Sequence, residues 1–356
     1  MAQHVVPIPC KPWVLNGLSE RLIVGHYEDD YGAAVRSLNA IRSAIEALDL
    51  EAVPAYHIRA LKREEAAAAG SVALHELYFS SLGGDGAVLF TGTGAGSRMP
   101  DAVAGALEQR FGSIEAWRRE FVALARALDG GPAWVLLNYS RQDCRVHNQI
   151  AFDHCQMMPD AVPMLALDMY EHAYRLDFGA NASAYIDAFM RNIDWAVVAS
   201  RLAGVRGAAL IGQPTTPDEP LPSFSAEELQ AKMAAGEPLQ VLDARPRHYF
   251  SRSADMMRGA IWRDPYAVEE WSKTLRTDAP VFVYCAYGYG VGCGVTAALR
   301  ERGFDARFLR GGLSAWYAAG GARVLRAEAG DVDGGVRRSS GSPGRTRTST
   351  ASPAPG

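Results

Sequence analysis

The sequence predicts an α+β domain followed by an α/β domain with a parallel sheet. Three observations predict it. Long segments of helical periodicity give way after residue 132 to short apolar runs. The stretch 207–222 (GAALIGQPTTPDEPLP) carries four prolines and reads as a linker. Beyond it, short apolar runs alternate with helical ones, the mark of parallel strands joined by helices. A length of 356 residues suits about two domains with a remainder.

The elements follow in order. Val35, Leu38, Ile41, Ile45 and Leu48 recur at three- and four-residue steps and give a helix one apolar face. Ala66 to Leu82 is a second helix, rich in alanine; Asp101–Arg110 and Ser113–Leu128 are two more, split by Gly112. Ala133–Asn138, Val146–Phe152 and Pro163–Asp168 read as strands, and Tyr185–Leu202 closes the unit as one helix. The helical part spans 1–92 and the mixed part 93–206. In the second unit, 223–325, Ser225 and Glu228 form a capping box. Leu239–Asp243, Val281–Cys285 and Ala306–Leu309 are strands, with helices over Val295–Arg302 and from Gly311–Gly312 through Trp316. Residues 326–356 hold almost no bulky apolar side chain and read as disordered, with five arginines against three acids.

Composition excludes several function classes. The net charge of −4 and pI of about 6.1 argue against a nucleic-acid partner. No apolar run reaches the roughly 18 residues a membrane span needs, and the first 15 residues lack the pattern of a signal peptide. Five scattered cysteines suit a reducing, cytoplasmic setting rather than a disulfide framework.

Two constellations carry chemistry. His26, His75, Asp168 and His172 offer three imidazoles and a carboxylate, a mixed set that suits iron or manganese and also takes zinc. By spacing alone a histidine is more often a core or surface residue than a ligand, and the chain has eight. Cys285 ends a strand and leads through the loop AYGYGVG into a helix, a setting that favours a thiolate; the same position also suits a small buried residue.

The strings GLSERLIVGHYEDDYGAAVRSLN, HELYF, FGSIEAWRREF, GGPAWVLL, DMYEHAYRLDF and IDWAVV resemble, in order, the iron/manganese superoxide dismutase family over residues 6–203. The resemblance implies one Mn or Fe per subunit on His26, His75, Asp168 and His172. It also implies superoxide as substrate and a homodimer in which Glu171 reaches the neighbouring subunit. Gln149 aligns with the glutamine that manganese-type members set beside the metal, and Ser71 stands where iron-type members place theirs; the balance favours Mn. Trp134 matches one aromatic wall, while Pro132 and Tyr170 stand where tryptophans are usual. The gateway departs: Asp30 and Ala34 replace the usual histidine and tyrosine. Asp30 is expected to accept a hydrogen bond from Tyr174 and to slow an incoming anion. LDAR, MRGAIW, VFVYCAYGYG and FLRGGLSAW resemble the rhodanese family over residues 223–320, which implies a persulfide-carrying Cys285 and a sulfurtransferase alternative. No Lys or Arg lies between Cys285 and Arg300 to hold an anionic donor. A non-catalytic, redox-responsive protein is the third reading.

Overall fold

A computed structural model describes residues 2–83, 99–128, 131–205 and 221–326. The proline-dense stretch, apart from its last two residues, and the tail beyond Arg326 lie outside them, as does the expected break at 92/93.

The first half opens on two antiparallel helical arms. α1 (Glu20–Gly25) starts at Ser19, whose hydroxyl accepts from Leu22 N at 3.0 Å. It widens into a π-helical stretch, His26–Tyr31, and continues as α2 (Gly32–Glu46). The returning arm is α3 (Ala55–Ser80), which begins a full three turns before the apolar pattern does. Its first turns are charged and exposed, and Arg42 of α2 meets Glu65 there at 3.3 Å, so no apolar stripe marks them.

α4 (Asp101–Phe111) stops at Gly112, whose φ of +84° only glycine adopts at ease, and α5 (Ile114–Ala127) restarts on the Ser113 cap. The strands β1 (Trp134–Ser140), β2 (Arg145–Ala151) and β3 (Ala161–Asp168) form an antiparallel sheet in the order β2-β1-β3. After α6 (Arg175–Phe178), the single closing helix expected from sequence is two: α7 (Ala182–Arg191) and α8 (Trp195–Val205). Side-chain hydrogen bonds force the break. The Asn192 amide donates to Asn16 O and Ala188 O, pinning the chain end of α7, and Asp194 Oδ1 accepts from Ala196 N to cap α8.

The second half holds β4 (Ser223–Phe224), α9 (Ala226–Ala234), β5 (Gln240–Asp243), α10 (Arg247–Arg252), β6 (Asp255–Met256), β7 (Ile261–Trp262) and α11 (Val268–Trp271). These are followed by β8 (Val281–Tyr284), α12 (Gly290–Glu301), β9 (Ala306–Leu309), α13 (Gly312–Ala318) and β10 (Val324–Leu325). Five of its strands make a parallel sheet, β4-β9-β8-β5-β7, and β6 pairs with β10. The capping box of Ser225 and Glu228 is present at α9. α12 starts five residues earlier than its apolar pattern, because glycines let it run tight against Cys285: a Cβ on Gly292 would stand 3.2 Å from the sulfur. The two halves share a core. Ala315 and Ala318 of α13 pack in the same apolar cluster as Ile23, Tyr27 and Tyr31.

Candidate metal centre

The sheet and the helical arms converge on one point. Asp168 is the last residue of β3 and pairs with Trp134 at the start of β1, so its side chain emerges at a sheet end. His172 follows on the short turn Glu171–Ala173, His26 comes from the π-helical stretch, and His75 from α3. Asp168 Oδ2 lies 3.1 Å from His26 Nε2, 3.1 Å from His172 Nε2 and 3.7 Å from His75 Nε2. One donor atom from each of the four residues lies within 4.8 Å of the others.

The surroundings aim these atoms inward. Asp168 Oδ1 accepts from Tyr170 N at 2.9 Å, and the Asp168 carbonyl accepts from the Tyr185 hydroxyl at 2.8 Å, which leaves Oδ2 toward the rings. His75 Nδ1 donates to Ser71 O at 2.7 Å, so its Nε2 keeps a lone pair. His26 Nδ1, His26 Nε2 and His75 Nε2 are buried without a hydrogen-bond partner. Orphaned nitrogens facing a carboxylate oxygen fit a metal ion. Donor spacings of 3.1–3.7 Å match two ligands each about 2.0–2.2 Å from one ion.

Burial pushes the His75 imidazole down to about 3, helped by the neighbouring His26, and burial also lowers His26. Burial opposes the charge on Asp168, yet the His172 and His26 rings facing it hold its carboxyl well below the usual range. His172 moves up: burial works against its charge, but the hydrogen bond to Asp168 outweighs it. The consequence for the metal-stripped protein has a definite sign. Below about 6.5 the unfolded chain takes up protons that folded His26 and His75 refuse, so stability falls with pH, by up to about 1.4 kcal/mol per pH unit per ring. His172 leaves this unchanged, since its contribution is complete below 6.5 and fades only as pH rises through its raised value. The melting temperature of metal-stripped protein is expected to drop steadily from pH 6.5 to pH 5, and a flat thermal-shift profile over that window would contradict the burial argument.

Around the four stand aromatic walls. Trp134 packs edge-on against His75 at 5.2 Å, and Tyr170 stacks on His172 at 5.5 Å. Gln149 is not there. It sits on β2, where Asn138 Nδ2 donates to its Oε1 at 2.5 Å and its own amide donates to Gln156 O. The alignment that favoured Mn therefore loses its basis. His154, missed in the sequence, stands beside the centre instead: Trp134 Nε1 donates to its Nδ1 at 3.0 Å, and its ring lies 6.3 Å from His75 and stacks on Tyr170 at 5.0 Å. Strand register held the signal. Trp134 pairs with both Ala151 and Asp168, so the turn just after Ala151 must lie at the Asp168 end of the sheet. Asp30 faces His172, with Oδ1 3.6 Å from Nδ1, while the Tyr174 ring stacks on Tyr185. Glu171 is exposed and pairs with Arg175.

Cys285 lies in the second half, buried at the end of β8. Backbone N–H groups of Gly292, Gly288, Tyr287 and Tyr289 point at its sulfur, but burial dominates and holds the thiol up. All five cysteines are free.

Known proteins agree with both halves. A family model described as "Iron/manganese superoxide dismutases, C-terminal domain" matches residues 99–201, and one described as "Rhodanese-like domain" matches 225–319. An iron superoxide dismutase of Cupriavidus metallidurans is 47% identical over 203 residues, which is 57% of this chain and 98% of that protein. One from Aquifex pyrophilus is 32% identical over 198 residues, covering 54% and 87%. A protein of Halobacterium salinarum named "Superoxide dismutase [Mn] 2" is 29% identical over 212 residues, covering 56% and 95%. Among the described residues no helix is long and apolar enough to cross a membrane. With nearly the whole length of a 47%-identical relative matched, this chain belongs to the iron/manganese superoxide dismutases and carries a rhodanese-like domain behind its dismutase-like half.

Proposed function

We propose that the first domain, residues 1–206, converts superoxide to oxygen and hydrogen peroxide at one Mn or Fe held by His26, His75, Asp168 and His172. The convergence of three imidazole nitrogens on Asp168 Oδ2 supports this reading. The ion, when bound, supplies one-electron chemistry, accepting an electron from one superoxide and returning it to a second with two protons. The chain supplies the rest. Asp168 brings one negative charge into a buried site, and neutral rings balance it poorly, so the set favours a multiply charged cation over a monovalent one. Trp134, Tyr170 and His154 wall the site, and the Trp134–His154 hydrogen bond fixes which edge of the imidazole faces inward. We also read the chain as a homodimer, with the exposed Glu171 carboxylate directed to a second copy; the rhodanese-like domain is placed at 223–325.

Access shapes the rate. Of the four ligands only His172 reaches the surface, its side chain 27% exposed, and Asp30 stands beside it. Ala34, on the same helical arm, offers no hydroxyl to relay a proton. Asp30→Asn is expected to raise kcat/KM for superoxide several-fold at low ionic strength, with the gain shrinking as salt is added. A gain that is independent of salt would mean that steering is not its cause. The test of the activity itself is elemental analysis and superoxide decay on one sample of the full chain. About one Mn or Fe per chain with catalytic decay is expected; a loaded protein without turnover overturns the activity.

A further inference from the structure

The Cys285 loop has two features the dismutase reading leaves unused: it carries no cation, and two of its residues are tyrosines. Both tyrosines face the first domain. Tyr287 stacks on Trp13, with ring centroids 5.4 Å apart, and its hydroxyl donates to Glu20. The Tyr289 hydroxyl lies 2.5 Å from Ile8 O and 3.0 Å from Cys10 O, and its ring meets Trp13 edge-on at 5.9 Å. Pro7 lies against Gly311, where a Cβ would come within 3.3 Å of it. From the other side α13 holds the loop backbone: Leu313 N donates to Cys285 O at 2.8 Å and Ser314 N to Ala286 O at 3.1 Å. Cys285 is left 5% exposed.

We propose that residues 7–13 of the first domain are a strap that holds the Cys285 loop shut, so that the sulfur is reached only when the strap lifts. The loop amides that converge on the sulfur would steady an anion there. The tyrosines at the loop tip, however, are engaged by main-chain carbonyls and Glu20, not by an approaching donor. Hydrogen bonds and ring contacts of this kind are individually modest, so the strap is a gate that opens at equilibrium rather than a permanent seal. These contacts hold the loop whether or not the first domain turns over superoxide.

The test is alkylation of the full chain with iodoacetamide, followed residue by residue by peptide mass spectrometry. In the unaltered chain Cys285 is expected to react at least tenfold more slowly than the exposed Cys144 and Cys155. Trp13→Ala and Tyr289→Phe should each raise the Cys285 rate at least threefold, with the rates at Cys144 and Cys155 and the metal content unchanged. Equal rates at Cys285 and Cys155 in the unaltered chain, or no rise in either variant, overturn the proposal. Cys10 is buried within the strap itself, so its rate should rise together with that of Cys285 in both variants, and a rise at Cys285 without one at Cys10 overturns the strap as the cause.

Discussion

Asp168→Asn is expected to leave the protein folded and without metal. The asparagine side chain keeps the shape, so one oxygen can still accept from Tyr170 N, and the Tyr185 hydroxyl still binds the carbonyl of residue 168. At the other position, however, an amide NH2 now points at imidazole nitrogens that stand 3.1–3.7 Å away. An amide nitrogen has no lone pair to give, and the site loses the one anion that balances a divalent or trivalent ion. Metal content is expected to fall below about one tenth of that of the unaltered chain, and superoxide turnover with it. Elemental analysis reads the first, and circular dichroism checks the fold. A variant that keeps its full metal content would show that Asp168 is not a ligand.

The second large effect is expected at Gly70. A Cβ added there would lie 2.0 Å from His154 O and 2.8 Å from His154 C, both main-chain atoms that no rotamer change can move. Either α3 or the loop after β2 must shift. Overpacking of this kind costs about 1–3 kcal/mol, and a backbone clash this short belongs at the upper end. The shift also has a functional reading, because α3 delivers His75 five residues on and the loop delivers His154. Gly70→Ala is thus expected to lower the urea midpoint and to reduce metal content together. Gly105→Ala in α4 is the control: nothing lies within 4 Å of its Cβ position, so the helix should gain roughly 0.5–1 kcal/mol instead. Equal midpoints for the two variants would contradict the close-approach argument.

Much of the site was legible in one dimension. DMYEHAY places Asp168 and His172 four residues apart around a strand end, and the register of the sheet keeps them there. The strand β9 matched to the residue. What escaped depended on partners distant in sequence. The break at 192–194 is set by Asn16 and by the bridge between Leu82 and Ile193, none of which leaves a trace in local periodicity. The first turns of α3 are solvated, so they carry no apolar signal. Gln149 was read in the place where His154 stands because the alignment took no account of the strand register, which sets Gln149 two pairs in from the Asp168 end of the sheet. The joining of the two halves was illegible altogether: it rests on Gly32, where a Cβ would stand 2.5 Å from Ala318 O, and on Glu28, which accepts from Ser314 at 2.8 Å and from Arg323 at 2.5 Å.

That last contact constrains how the chain can change over generations. The turn that presents His26 also presents Glu28, two residues on, to the other half. A replacement for the second half would have to offer a hydroxyl and a guanidinium at the same places, and nothing larger than a methyl where Ala315 and Ala318 enter the shared interior. Few foreign modules meet all these conditions, so the two halves are expected to be inherited as a matched pair and to resist shuffling.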